Sequence, residues 1–264
     1  MTFPGRWYIM RGALGVRRTS GTRIIQGRDG TDRAPGGLIT EAKGKGKVMK
    51  SLSKTILLLV TGLVAGTAQA AGDPGAGEDK SAACAACHGQ DGNASSAQYP
   101  KLAGQGERYL VKQLKDYKSG ARENAIMAGQ VANLSEQDMK DIAAYYAEQE
   151  IETGTANPDY VEKGEKIWRA GIEEKGVAAC AGCHGPAGQG VEAAGFPALA
   201  GQHAEYTISQ LEAFRNAGRN ALDGPMRNND PNGMMRDIAD RMTDREIRNV
   251  ASFIAGLSEG EENQ

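Results

Sequence analysis

The sequence predicts an all-α protein made of two tandem copies of one small domain. Residues 99–105 (Tyr-Pro-Lys-Leu-Ala-Gly-Gln) return as residues 196–202 (Phe-Pro-Ala-Leu-Ala-Gly-Gln), and a recurrence of this kind indicates a duplicated structural unit. Apolar residues elsewhere recur at the spacing of helices rather than in the alternation of strands. We therefore expect domain 1 over residues 71–150 and domain 2 over residues 151–264, with a polar linker over residues 148–159.

Capping signals and matched residues locate the helices within each half. The motifs Ser-x-x-Asp from Ser135 and Thr-x-x-Glu from Thr243 have the spacing of capping boxes, which begin helices. An earlier helix is expected to begin near Glu107 in one half and near Ala204 in the other. Five residues from this earlier helix onward also recur: Tyr109, Gln113, Leu114, Tyr117 and Arg122 return as Tyr206, Gln210, Leu211, Phe214 and Arg219.

All four cysteines lie in two Cys-x-x-Cys-His pentads, at residues 84–88 and 180–184. Two thiols three residues apart can each add to one vinyl group of a porphyrin, and the following histidine can then ligate the iron. The pentads therefore predict two haem c groups, both covalently attached. Since each half is small and the chain has few aromatic residues, we expect each haem to form a large part of its core. The predicted residues are Cys84, Cys87 and His88 for haem 1 and Cys180, Cys183 and His184 for haem 2.

Two other interpretations of the cysteines remain open at this point. Four cysteines could form one zinc site, although structural zinc pairs usually lie closer in sequence and do not require a histidine after each pair. A thioredoxin-like redox site needs one Cys-x-x-Cys motif beside a strand-helix-strand pattern, and the sequence shows no convincing strands.

One methionine in each half is the candidate for the second axial ligand. Alignment of the two capping boxes places Met127 on Met235, and His/Met ligation raises the reduction potential of a haem. Met234 aligns with Ile126, so we expect Met234 to pack in the interior instead. The competing interpretation is that Met127 and Met235 are apolar filler, a common use of methionine in cores.

Two further features surround the predicted haem ligands. Pro100 and Pro197 follow the pentads at matching positions, and their carbonyl groups could accept the free N–H of each haem histidine. An ordinary turn is the alternative. His203, the remaining histidine, matches Gly106, so we expect it to face solvent near the start of a helix rather than to bind a metal.

The N-terminal region predicts export. Residues 49–70 have a short basic start, an apolar run and an Ala-x-Ala site, which is the pattern of a cleaved signal peptide. The apolar run is shorter than the roughly 20 residues of a spanning helix. We therefore expect a periplasmic protein without a transmembrane segment in its mature chain, while peripheral membrane association stays open. Residues 1–48 are interpreted as an upstream mis-start or a disordered extension.

The charge of the expected mature chain is clearly negative. Residues 1–70 hold 12 of the 31 Lys and Arg but 3 of the 33 Asp and Glu, which leaves 19 basic and 30 acidic residues and a net charge of -11. Such a chain is unsuited to nucleic acid, whose phosphates attract Lys and Arg. It suits a partner with a basic face, although solubility alone would also explain the acidity.

With these motifs in place, residues 71–264 resemble the cytochrome c4 family of bacterial periplasmic dihaem c-type cytochromes. The resemblance is carried by the two pentads, the repeated Tyr/Phe-Pro-x-Leu-Ala-Gly-Gln segments and the Met-x6-Leu/Met-Ser/Thr motifs. It implies two class I cytochrome c domains related by a pseudo-twofold axis. It also implies electron delivery from a quinol-oxidising complex to a terminal cytochrome c oxidase. Carried over by position, Cys84, Cys87, His88 and Met127 serve haem 1, and Cys180, Cys183, His184 and Met235 serve haem 2.

The chain departs from an exact repeat in its second half. The stretch from Gly164 to Cys180 is nine residues longer than that from Gly77 to Cys84, and the loop before Met235 is also longer. We therefore expect different environments for the two haems.

The sequence favours a non-enzymatic electron carrier over two other kinds of haem protein. A dihaem peroxidase needs one open iron with acid-base groups beside it, whereas this repeat offers a methionine to both irons and has a single spare histidine. A haem subunit of a larger oxidoreductase complex is not excluded by the sequence.

Overall fold

Helices form nearly all of the regular structure in the computed structural model, which describes residues 71–258. Within that range the β-structure is limited to two isolated antiparallel bridges, and the all-α prediction is confirmed. The described residues belong to one unit of the chain, Gly66–Gln264. The predicted signal peptide at residues 49–70 and the segment before it lie outside the described residues.

The first half contains five α-helices within the described residues. They are α1 (Pro74–Lys80), α2 (Ala82–His88), α3 (Glu107–Ser119), α4 (Ala125–Val131) and α5 (Glu136–Ala147). The predicted capping box is present: the Ser135 side chain accepts the N–H of Asp138, and the Asp138 carboxylate accepts the N–H of Ser135. Helix α3 begins at Glu107, where the sequence placed it.

The second half repeats this order of helices with longer connections. Its helices are α6 (Pro158–Ala170), α7 (Ala181–His184), α8 (Ala204–Gly218), α9 (Met234–Asp240) and α10 (Asp244–Gly256). Short 3-10 turns lie at Glu173–Lys175, Glu192–Ala194 and Pro231–Gly233. The capping box of Thr243 and Glu246 is present at the start of α10. The first 3-10 turn lies in the longer stretch between α6 and α7 that the sequence indicated.

The first and last helices of each half cross at a glycine. Gly77 of α1 faces the carbonyl oxygen of Asp141 in α5, and Gly164 of α6 faces that of Asn249 in α10. A Cβ at Gly164 would also lie 2.8 Å from the Cβ of Phe253, closer than carbon atoms normally approach. Glycine at these two positions therefore lets the helix backbones touch, and this contact closes each half around its core.

Each half has its own apolar core, and the two cores differ at equivalent positions. In the second half Trp168 of α6 and Ile254 of α10 are both buried. The equivalent positions of the first half hold buried Ser81, which follows α1, and buried Tyr146 of α5. The larger aromatic side chain is thus Tyr146, from the last helix, in the first half and Trp168, from the first helix, in the second half. The pair in the first half is the more polar of the two.

The halves meet through residues that correspond in the repeat. Gln105 accepts the N–H of Ala198 and donates to its carbonyl oxygen, both at 2.9 Å. Gln202 makes the same two bonds with Lys101, both at 3.0 Å. Gln105 corresponds to Gln202 and Lys101 to Ala198, so the two halves are related by an approximate twofold axis.

The helix crossing gives the first testable prediction. Gly164→Ala should lower the free energy of unfolding by about 1–3 kcal/mol, because the added methyl group overlaps the backbone of α10. Gly129→Ala is the matched control, since a Cβ at that helical glycine meets no atom within 4 Å and alanine favours a helix. Chemical denaturation of both variants beside the parent measures the difference. Equal stability of Gly164→Ala and the parent would contradict the close crossing.

Candidate functional site

The histidine of each pentad ends a short helix and is buried. His88 is the last residue of α2, and His184 is the last residue of α7. Each is followed by a glycine with positive φ, Gly89 at 83° and Gly185 at 82°. A side chain would strain the backbone there, so glycine allows the chain to turn back directly after the histidine.

Both histidines make the same hydrogen bond. Nδ1 of His88 lies 2.9 Å from the carbonyl oxygen of Pro100, and Nδ1 of His184 lies 2.9 Å from that of Pro197. A carbonyl oxygen can only accept, so Nδ1 carries the proton and donates. The predicted proline contact is therefore present in both halves, and the ring lone pair lies at Nε2, the atom left to ligate a metal.

Burial favours the neutral form of both imidazoles. It lowers the pKa of His88 and of His184 below the ordinary value, while the proline carbonyl acts in the opposite direction. A neutral imidazole in one fixed tautomer is the form that binds iron. The local structure thus suits both rings to the predicted axial ligation.

The environment of the cysteines does not favour thiol redox chemistry. Cys84 and Cys180 are half-buried, and burial raises the pKa of both thiols, that of Cys180 to about 11. A reactive redox thiol requires the opposite, a lowered pKa in an electropositive site. The strand-helix-strand pattern that a thioredoxin-like site needs is also missing from the described residues, where β-structure is limited to two isolated bridges.

The two pentads do not converge on one metal site. The described residues include every cysteine and histidine of the chain, and among them no group of three or more Cys, His, Asp or Glu side chains could hold a metal ion. The alternative of a single four-cysteine zinc site is therefore wrong.

Apolar side chains that are only partly buried surround each pentad. Cys84 and Leu102 pack at the edge of the first core, and Cys180 and Leu199 pack at the edge of the second. Leu102 and Leu199 are equivalent in the repeat. A flat apolar porphyrin joined to the cysteines would cover such surfaces, so the residues present fit a haem in each half.

The methionines proposed from the repeat lie on corresponding short helices. Met127 is in α4 and Met235 is in α9, and both are partly buried. The N–H of Met127 is held by the side chain of Asn124 at 3.0 Å, and that of Met235 by Asp230 at 2.9 Å. Side-chain hydrogen bonds thus hold the backbone of both methionines at the start of a helix, and Asn124 is the N-cap of α4.

The neighbour of each methionine faces solvent, which corrects one expectation. Ile126 is 62% exposed and Met234 is 41% exposed. The prediction that Met234 packs in the interior is therefore wrong. Because the two exposed residues correspond in the repeat, each half presents one large apolar side chain beside its candidate ligand.

The position of His203 differs from the expectation of a solvent-facing residue. Its ring is half-buried, and Nε2 lies 2.7 Å from the carbonyl oxygen of Ala94 in the other half. The carbonyl accepts, so Nε2 donates. His203 is partly buried because it lies at the interface between the halves, which a comparison of two isolated repeats does not show. It bridges the halves rather than binding a metal.

One residue of the repeat was matched incorrectly from the sequence. The guanidinium group of Arg122 lies over the ring of Tyr117, and that of Arg227 lies over the ring of Phe214, the equivalent of Tyr117. Arg219 instead bonds Asp240 at the surface, with a distance of 2.7 Å from Nε to the carboxylate. The structural equivalent of Arg122 is therefore Arg227. The loop before Met235 is longer in the second half, so an alignment by residue spacing did not match these two arginines.

Comparison with known proteins places this geometry in a family. The family model described as Cytochrome c matches residues 76–149 and 161–258. Cytochrome c4 of Pseudomonas aeruginosa is 47% identical over 201 residues, which cover 76% of this chain and 96% of that protein. The thiosulfate dehydrogenase electron acceptor of Thiomonas intermedia is 38% identical over 67% of this chain and 79% of that protein.

Solved structures support the same assignment. The crystal structure of reduced recombinant cytochrome c4 from Pseudomonas stutzeri superposes with a TM-score of 0.65 at 45% identity, covering 71% of this chain and 100% of that chain. Each matched family segment contains one pentad with its histidine bonded to a proline carbonyl. The chain therefore belongs to the cytochrome c family, as a dihaem electron-transfer protein of the cytochrome c4 type rather than an enzyme.

Proposed function

We propose that this protein carries single electrons in the periplasm from a quinol-oxidising complex to a terminal cytochrome c oxidase. The observation that carries the proposal is the pair of buried histidines, each held through Nδ1 by a proline carbonyl at 2.9 Å. Two equivalent sites in one compact unit suit passage of an electron between haems. The relatives named cytochrome c4 support the general role.

The proposed ligand set follows the repeat in both halves. Cys84 and Cys87 attach haem 1, and His88 and Met127 ligate its iron. In the second half Cys180 and Cys183 attach haem 2, and His184 and Met235 ligate its iron. Haem iron supplies reversible one-electron chemistry, and His/Met ligation favours a high reduction potential.

The protein residues keep each site in one geometry during transfer. The proline carbonyl fixes the histidine tautomer, and its hydrogen bond makes Nε2 a stronger donor to the metal. The glycine crossings and capped helix starts hold the surrounding helices in place. A site that moves little between oxidation states needs little reorganisation, which favours rapid transfer.

The periplasmic location rests on the pattern of residues 49–70, a signal peptide by sequence. Among residues 71–258 no helix is both long enough and apolar enough to span a bilayer.

A second candidate partner is a periplasmic dehydrogenase that passes electrons to this protein. The observation in its favour is the similarity to proteins named thiosulfate dehydrogenase electron acceptor, at 38% and 39% identity over 67% and 69% of this chain. The two candidates differ in the donor, so reduction assays with a purified quinol-oxidising complex and with a thiosulfate dehydrogenase distinguish them.

Attachment of both haems is tested by intact mass. The mature protein should weigh more than the polypeptide of residues 71–264 by two haems, because each pentad forms two thioether bonds. Haem staining after denaturing electrophoresis is the second readout. A mass with one haem or none contradicts the attachment proposal, and a mass that retains residues 1–48 contradicts the expected processing.

Ligation of haem 2 is tested by separating the two neighbouring methionines. Met235→Ala should remove the sulfur-to-iron charge-transfer band of one ferric haem, and Met235→His should lower the potential of that haem because imidazole favours ferric iron. Met234→Ala is the matched control and should leave the band intact, since Met234 is exposed. Loss of half the band in Met234→Ala, with an intact band in Met235→Ala, would reverse the assignment.

The acidic balance predicts how transfer responds to salt. Residues 71–150 have 8 basic and 12 acidic residues, and residues 151–264 have 11 and 18. The bimolecular rate with a basic-faced oxidase should fall as ionic strength rises, since charges are screened beyond roughly 10 Å at 0.1 M salt. Stopped-flow oxidation by the oxidase measures this, with a neutral small-molecule oxidant as control. A rate with the oxidase that is independent of salt would indicate docking through the apolar residues Ile126 and Met234 instead.

A further inference from the structure

One peptide group of the first half makes hydrogen bonds through both its carbonyl and its N–H. The carbonyl oxygen of Pro100 accepts the Nδ1–H of His88 at 2.9 Å. The N–H of the same peptide group, which belongs to Lys101, donates to Oε1 of Gln202 in the second half at 3.0 Å. The peptide group therefore connects a pentad histidine to a glutamine of the opposite half.

The second half repeats this connection with the roles of the halves exchanged. The carbonyl oxygen of Pro197 accepts the Nδ1–H of His184 at 2.9 Å. The N–H of the same peptide group, which belongs to Ala198, donates to Oε1 of Gln105 in the first half at 2.9 Å. Since Gln105 corresponds to Gln202 in the repeat, the two connections cross between the halves, from the glutamine of each half to the histidine of the other.

The orientation of each glutamine amide is fixed by its neighbours. Oε1 of Gln202 accepts the N–H of Lys101 and also that of His203, at 3.0 Å and 3.1 Å, while Nε2 donates to the carbonyl oxygen of Lys101 at 3.0 Å. Gln105 has the same arrangement in the first half. Exchange of the amide oxygen and nitrogen would place donors against donors, so the oxygen faces the peptide N–H in both halves.

These hydrogen bonds lie in the interior of the protein. Gln105 and Gln202 are each 7% exposed, and Lys101 is 8% exposed. Hydrogen bonds are stronger in such surroundings than in water, and bonds that follow one another in a chain polarise one another.

A peptide group transmits polarisation from its N–H to its carbonyl oxygen. When the N–H donates a hydrogen bond, electron density in the conjugated group shifts toward the oxygen, which then accepts a hydrogen bond more strongly. Gln202 therefore strengthens the bond that His88 makes with Pro100. Gln105 acts in the same way on His184.

The strength of the bond from Nδ1 determines how the histidine acts as an iron ligand. A hydrogen bond donated by Nδ1 raises the basicity of Nε2, the atom that ligates the metal. A more basic ligand stabilises ferric iron and lowers the reduction potential, and hydrogen bonds outside the ligand set are one means by which a protein adjusts that potential. A weaker bond to the proline carbonyl should therefore raise it.

We propose that Gln105 and Gln202 are positioning residues that lower the reduction potential of the haem in the opposite half, each through the peptide group bonded to that haem's histidine. Gln202 acts on haem 1 through His88, and Gln105 acts on haem 2 through His184. The proposal rests on the haem attachment and histidine ligation of the proposed function. It gives the contact between the halves a role in setting potentials as well as in holding the halves together.

The crossed arrangement gives a test in which each variant contains its own reference haem. Gln202→Met has a side chain of similar length but only a weak acceptor for the N–H of Lys101. The potential of haem 1 should rise, while haem 2, whose peptide group still bonds Gln105, should change much less. Gln105→Met should give the reverse pattern. Redox titration of the holoprotein followed by NMR reports each haem separately, and a rise in the opposite haem that does not exceed the change in the variant's own haem would overturn the proposal.

His203→Phe is the matched control for loosening of the interface. It removes the hydrogen bond to the carbonyl oxygen of Ala94 in the other half and leaves both peptide groups with their glutamines. The potential of haem 1 should rise less than in Gln202→Met, and an equal rise would overturn the proposal. Intact mass and the low-spin ferric spectrum are recorded first, so that loss of a haem or of its ligation, which contradicts the proposed function, is recognised separately.

Gln202→Glu separates the acceptor from the rest of the contact and keeps the proposal testable if Gln202→Met folds poorly. The carboxylate still accepts from the N–H of Lys101 but no longer donates to the carbonyl oxygen of Lys101. The potential of haem 1 should therefore not rise, and a rise would overturn the proposal.

The histidine proton gives a second readout in the reduced holoprotein. The NMR signal of the His88 Nδ1–H should move upfield in Gln202→Met, because a weaker hydrogen bond leaves the proton more shielded, and it should not move upfield in Gln202→Glu. A His88 signal that stays in place in Gln202→Met would contradict the proposed connection.

Discussion

The hydrogen bond from each pentad histidine to a proline carbonyl is the contact on which the rest of the structure depends. It connects the segment that attaches the haem to residues 99–105 in one half and 196–202 in the other. The same segments provide Gln105 and Gln202, which join the halves. One short repeated stretch therefore orients the pentad histidine at one position and builds the interface a few residues later, so the geometry of each pentad and the arrangement of the halves are set together.

The interface between the halves is built from specific hydrogen bonds that follow the repeat. The two glutamines bond backbone groups of the opposite half, which helps to hold the halves in one arrangement. Arg122 and Arg227 extend the same symmetry to charge, because each stacks on one half and bonds the other. The region between the halves is thus ordered by residues of both.

The repeat is approximate, and its departures concern the haem environments. The first half pairs Ser81 with Tyr146, whose hydroxyl is buried without a hydrogen-bond partner among the described residues, whereas the second half pairs Trp168 with Ile254. The indole N–H of Trp168 instead donates to the carbonyl oxygen of Pro186 at 2.9 Å. A polar group in an apolar core changes how that core solvates charge, so duplicated sites need not have equal potentials.

The sequence by itself determined the pentads and the helix starts at Ser135 and Thr243, because these depend on fixed local spacings, and it offered the proline contacts as one of two possibilities that the structure then decided. The tertiary structure alone decided that Arg227 is the partner of Arg122, that Met234 is exposed and that His203 bridges the halves. These features depend on where loops of different length end in space and on which surfaces of the two halves pack together. A repeat alignment matches residues by their distance along the chain. The position of a buried arginine is instead decided by the aromatic ring and the hydrogen-bond acceptors that surround it in space. A loop can change in length without moving that ring or those acceptors.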